Sequence, residues 1–126
     1  MHPAAKSVKY FGLYAMATGV GLALAPGLVL APLGIATPTE IWIRVVGALA
    51  IPLGYYYWVC GSAEVVAFFR ATIPGRIVFA ATTVLLIAVF SAPMQLLLFA
   101  AIDLAGAAWT AVGLRQASGT NAQATT

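Results

Sequence analysis

The chain has 126 residues, of which 63% are apolar and 7% charged, with a formal net charge of +3. A water-soluble domain carries about 25% charged residues, and a particle this small has too much surface for its volume to hide so much apolar material, so lipid is the implied solvent. Six scattered cations argue against a nucleic-acid partner; a single cysteine, Cys60, and a single histidine, His2, argue against an internal disulfide or a His/Cys metal cluster.

Residues 1–9 read as a short cytoplasmic segment carrying Lys6 and Lys9. Tyr10–Leu30 follows as 21 residues without a charge, long enough for a helix that crosses about 30 Å of hydrocarbon. The run is too long for the core of a secretion signal, and Ala23-Leu24-Ala25 is followed by Pro26, so a retained helix is expected. Pro26 is expected to bend its far end. Pro32, Gly34, Pro38 and Thr39 mark a turn, with Thr39 as N-cap and Glu40 in the first turn of the next helix.

Ile41–Cys60 is the second span, with Arg44 as its one charge and Pro52 as a kink. It ends in the aromatic run Tyr55-Tyr56-Tyr57-Trp58. That run reads as an interfacial belt or as a stacking platform for a quinone or lipid headgroup. Gly61–Gly75 is expected to be a connecting segment, either a short interfacial helix or an extension of the second span, and Ile73-Pro74-Gly75 is expected to break the chain. Ile77–Ala92 is a third, shorter span of 16 residues, Ser91-Ala92-Pro93 a tight turn, and Met94–Leu114 a fourth span with Asp103 as its one charge. Gln116–Thr126 is small and polar and is expected to be disordered.

The expected fold is therefore an all-α integral membrane four-helix bundle spanning residues 10–115. Lys6, Lys9, Arg70, Arg76 and Arg115 would all fall on one side of four crossings. The positive-inside rule then puts both ends in the cytoplasm of a bacterial-type inner membrane. Residues 43–54 (IRVVGALAIPLG) and 102–113 (IDLAGAAWTAVG) echo one another, as do Ala25-Pro26 and Ala92-Pro93. Two related hairpins are one reading of the echo, and chance matching of apolar segments is the other. The paired glycines Gly47/Gly54 and Gly106/Gly113 have the spacing that lets helices approach closely in lipid.

Arg44 and Asp103 are the charges well inside the spans, and intramembrane charges mark function or pairing. Arg44 and Asp103 pair with each other or line a polar cavity, or Arg44 pairs with Glu40, four residues earlier, and reaches outward; Asp103, too short to reach the interface, is paired or protonated. No phosphate loop and no nucleophile–base constellation is present. Small multidrug exporters rely on an acid in their first helix, and here that helix has none.

Trp42-x-Arg44-x-x-Gly47, Gly54-Tyr55-Tyr56, Phe68-Phe69-Arg70-x-Thr72-x-x-Gly75-Arg76 and Asp103-x-x-Gly106-x-x-Trp109 together resemble the small four-helix bacterial membrane proteins grouped as DoxX-like. Some members of that group are named for association with membrane quinone oxidation; the resemblance implies the fold more than any activity, and it carries over no catalytic residue. The leading expectation is an accessory or scaffold subunit that binds a protein partner or itself. The alternatives are a quinone- or lipid-binding redox accessory, and a proton-coupled small-molecule carrier using Asp103.

Overall fold

A computed structural model describes the backbone of residues 2–124 and side chains through Gly119. All regular structure within it is helical: α1 (Ala5–Leu24), α2 (Pro26–Leu30), α3 (Trp42–Ser62), α4 (Val66–Phe90) and α5 (Leu97–Ala124), with single 3₁₀ turns at Ala31–Leu33 and Met94–Leu96. Three segments are long and apolar enough to cross a membrane: Trp42–Ser62, Val66–Phe90 and Met94–Gly119. At 1.5 Å per residue the shortest of them spans roughly 30 Å. α1 has 20 residues, but Lys6, Lys9 and its glycines and tyrosines make it more polar on average.

Several boundaries differ from those expected. The first apolar block is two helices, not one. Ala25 leaves the helical region at φ −148° and ψ 69°, and Pro26 opens α2 as a first-turn residue, where its missing N–H has no helical partner to lose. Ile41, not Thr39, occupies the N-cap position of α3.

The largest correction concerns Gly61–Gly75. α3 runs to Ser62, a turn closes at Glu64 with φ +54°, and α4 starts at Val66 and continues through Pro74 to Phe90. A 25-residue helix thus replaces the expected loop and 16-residue span. In an apolar surrounding, breaking the helix would orphan several backbone groups, whereas Pro74 orphans one carbonyl, so continuation is favoured. The Ser91 turn lies where expected, with Ser91 left-handed at φ 57°. α5 overruns its expected end at Leu114 and reaches Ala124, since each residue added to an existing helix gains a hydrogen bond without a new nucleus. The expectation of a disordered Gln116–Thr126 thus meets helix through Ala124, and residues 125–126 lie outside the described residues.

The helices form two antiparallel hairpins. In the first, α1 and α3 touch backbone to backbone: a Cβ on Gly12 would sit 2.6 Å from the Gly54 carbonyl oxygen, and one on Gly19 would sit 2.7 Å from that of Gly47. In the second, α4 packs along α5. The hairpins meet chiefly where α5 crosses α1, and here a Cβ on Gly113 would lie 2.6 Å from the Ala4 Cα. α1 is thus flanked by α3 on one side and α5 on the other. Lys6, Lys9, Arg70 and Arg115 lie at one end of the bundle, called here the basic end.

Polarity is inverted relative to a water-soluble domain. Leu28, Leu49, Phe90 and Met94 are at least two-thirds exposed, while Ser7, Thr72, Arg76, Thr83, Asp103 and Thr110 are buried. Each long helix turns small and polar residues inward at helical spacing. On α4 these are Thr72, Arg76, Ala80 and Thr83, in line with the buried Phe69, and on α5 they are Ala100, Asp103, Ala107, Thr110 and Gly113. The periodicity absent from the apolar residues is present in the small and polar ones.

Candidate functional site: a buried guanidinium between the hairpins

Because α4 is continuous through Pro74, Arg76 is carried ten residues into the helix, about 15 Å from its start. Expected as a loop cation on the basic side, it is instead 2% exposed at the centre of the bundle. All four long helices hold it. Its guanidinium carbon lies 4.4 Å from the Phe11 ring centroid of α1 and 5.2 Å from that of Tyr57 on α3, within cation–π range. Its Nη1 donates to the Thr110 hydroxyl of α5 at 3.2 Å. Gly106 makes the room, since a Cβ there would stand 3.0 Å from Nη1 and 3.3 Å from the Phe11 ring.

From Thr110 the polar contacts continue to α1. The Thr110 and Ser7 hydroxyls are 2.7 Å apart, and the Ser7 hydroxyl donates to the Ala4 carbonyl at 2.7 Å. With Ser7 donating to Ala4, the single Thr110 proton has two acceptors within reach, the Ser7 hydroxyl and the Gly106 carbonyl of its own helix at 3.0 Å. Two guanidinium nitrogens, Nε and Nη2, are buried with no hydrogen-bond partner. A buried donor left unmade costs about 1–3 kcal/mol, more when charged.

Asp103 sits one turn from Gly106 on the same face of α5 and is 9% exposed. Arg76 and Tyr14 lie in the same region of the junction, and Tyr14 is hydrogen-bonded to Thr18 on α1. No ion pair within 4 Å joins Asp103 to a cation among the described residues. Ser7, Tyr14, Arg76, Asp103 and Thr110 all lie at the junction of the hairpins, whereas the seam within the first hairpin is built of glycine.

The residues that sequence reasoning singled out are scattered. Arg44 is exposed, and its Nη1 donates to the Ala23 and Leu24 carbonyls at 2.8 and 3.2 Å. Those are end carbonyls of α1, left without helical partners by the break at Ala25 and Pro26, so the Arg44 guanidinium closes the C-terminal end of α1. It contacts neither Glu40, which is exposed in the turn before α3, nor Asp103. The run Tyr55–Trp58 winds around α3 rather than forming one surface. Tyr55 and Tyr56 face outward with rings 6.3 Å apart, Tyr57 is buried edge-on against Phe68 at 5.1 Å, and Trp58 lies 4.7 Å from the Lys9 ammonium. Sequence reasoning missed Arg76, Phe11, Ser7 and Thr110 as a group. The available signal was the polar stripe Thr72–Arg76–Thr83, read through Pro74 instead of stopped by it.

No group of His, Cys, Asp and Glu side chains that could hold a metal occurs among the described residues. Comparison of the sequence and fold with known protein families, with characterised proteins and with solved structures finds no match.

Proposed function

We propose that this is a multi-pass protein of a bacterial-type inner membrane, crossing it four times with the basic end in the cytoplasm. We read it as an accessory subunit that binds a quinone or lipid headgroup at Arg76. Three long apolar helices and the inverted polarity support the membrane. The fourth crossing is α1, held along its length against α3. Lys6, Lys9, Arg70 and Arg115 support the orientation; Arg76, being buried, no longer counts toward it.

One observation carries the binding reading: the two unpartnered donors of Arg76, 2% exposed between two aromatic rings. Donors buried in a low dielectric favour an oxygen acceptor such as a quinone carbonyl or a phosphate oxygen. Electron transfer, on this reading, belongs to a partner enzyme, in keeping with the resemblance to DoxX-like proteins.

The test is mass spectrometry of quinones and lipids that co-purify in mild detergent. One class is expected to be enriched over bulk membrane and lost in Arg76→Gln; equal recovery from both proteins rejects the reading. A cytoplasm-only reporter fused after Arg115 is expected to be active, and silence overturns the orientation.

Asp103, lacking an ion-pair partner at the hairpin junction, favours a second reading as a proton-coupled carrier. In proteoliposomes, flux unchanged by Asp103→Asn would remove that residue from any transport mechanism.

A further inference from the structure

The outward-facing seam between α1 and α5 carries a group of donors separate from Arg76. Tyr10 and Trp109 stack there with ring centroids 6.3 Å apart and planes 21° from parallel. Both stay exposed, at 54% and 48%, on a surface that the membrane reading turns toward lipid. Lys6 is exposed one helical turn before Tyr10, on the same face of α1. α1 starts at the basic end, and helical side chains lean toward the N-terminus, so Lys6 and Tyr10 lean toward the headgroup region.

None of the three is satisfied among the described residues. The Lys6 ammonium has no ion pair or hydrogen bond, and neither the Tyr10 hydroxyl nor the Trp109 indole N–H donates to a protein group. Such donors at the edge of hydrocarbon need an acceptor from outside the chain. The other cations of the basic end are placed differently. The Lys9 ammonium lies over Trp58 on the α3 side, 4.7 Å from its ring. Arg115 comes six residues after Trp109, about 120° round α5, and Arg70 belongs to α4.

From these three donors we infer that the α1–α5 seam binds one anionic phospholipid. Its phosphate sits on Lys6. Tyr10 is about 6 Å deeper along α1, so the Tyr10 and Trp109 donors meet the glycerol ester oxygens below the phosphate. The acyl chains lie deeper still, against Leu13 and Ala105, both exposed. Charge selects the headgroup, because a zwitterionic lipid needs an acid for its ammonium group and the seam has none. Glu40 lies at the opposite end, Asp103 is buried, and Glu64 accepts from the His2 amide at the α3–α4 turn. Lys6 and Tyr10 belong to the first hairpin and Trp109 to the second, so the lipid bridges the hairpins and strengthens their junction. The inference rests on the membrane reading and is independent of the Arg76 ligand.

The test adds phosphatidylglycerol or phosphatidylcholine with the same acyl chains to the purified protein in mild nonionic detergent, and reads native mass spectra and thermal midpoints. Phosphatidylglycerol is expected to be retained several-fold more than phosphatidylcholine, as one molecule per chain, and to raise the midpoint by several degrees more. Lys6→Gln, a change on the exposed surface, is expected to abolish both excesses, and Lys6→Arg to keep them. Trp109→Leu is expected to reduce retention, and Arg115→Gln, also exposed at the basic end, to leave it unchanged. Equal retention of the two lipids overturns the inference, as does an excess that survives Lys6→Gln. Equal losses in Lys6→Gln and Arg115→Gln also overturn it, because they show diffuse charge attraction without a site. Full retention in Trp109→Leu, or retention with no rise in midpoint, overturns the bridge between the hairpins. Release of the protein from membranes by alkaline carbonate would defeat the membrane reading itself; a protein that stays in the membrane but shows no preference between the lipids defeats only the inference.

Discussion

Gly54→Ala is the sharpest test of the first hairpin. A Cβ at Gly54 would lie 2.5 Å from the Gly12 carbonyl oxygen and 2.7 Å from the Met16 backbone nitrogen. Ordinary contact begins near 3.4 Å, so α1 and α3 would have to separate by about 0.9 Å at this point. The obstructing atoms are backbone, so no rotamer change relieves the clash. Overpacking of this kind costs about 1–3 kcal/mol. Gly75→Ala is the matched control. It also lies inside a helix, but a Cβ there meets nothing within 4 Å, and replacing a mid-helix glycine by alanine stabilises by about 0.5–1 kcal/mol. The two substitutions are therefore expected to move the thermal midpoint in detergent in opposite directions. Gly54→Ala matching or exceeding Gly75→Ala in stability would refute the backbone contact between α1 and α3.

Other consequences are equally direct. Thr110→Val removes the acceptor for Arg76 Nη1 and the partner of Ser7, and is expected to destabilise by about 1–3 kcal/mol; a neutral result in thermal unfolding would remove this hydroxyl relay from the account of stability. Arg76→Met and Asp103→Asn are expected to be non-additive by at least about 0.5 kcal/mol in a double-mutant cycle, because both side chains are buried at the one junction between the hairpins; additive effects would show that the two are independent. Arg44→Ala is expected to raise hydrogen exchange from Leu24 to Ile41 and to cost about 0.5–1 kcal/mol, the exposed position weakening the bonds to α1. Unchanged exchange there would mean that the α1 end is closed by other groups.

The coarse architecture is legible in the sequence. Four apolar blocks, the proline-rich turn at residues 32–38 and the turn at Ser91–Pro93 correspond to helices and connections in the structure. Gly47, Gly54 and Gly113 lie at close helix approaches, as their spacing suggests. The site is not legible, for one physical reason that applies twice. Proline as punctuation suits a helix in water, where freed carbonyls find solvent. Pro74 sits instead inside a helix whose neighbours are apolar, and treating it as a stop assigns Arg76 to a loop. Pro26, expected as a bend, opens a new helix, and the carbonyls freed there engage Arg44. A search for charges inside apolar runs finds Arg44 and Asp103 but not a cation at the edge of such a run that the continuing helix draws inward.

The placement of α1 between α3 and α5 also constrains how the molecule is assembled. During synthesis α1 is made first, and α3 can zip onto it at once through Gly12 and Gly19. Its other flank, carrying Ala4, Ser7 and Phe11, stays uncovered until α5, the last helix, arrives with Gly106, Thr110 and Gly113. The bundle thus closes by joining its earliest and latest helices, and Arg76 on α4 waits without its Thr110 acceptor in the interval. A chaperone that shields this flank would act in that interval, and a protein truncated before α5 would leave Ser7, Phe11 and Arg76 uncovered.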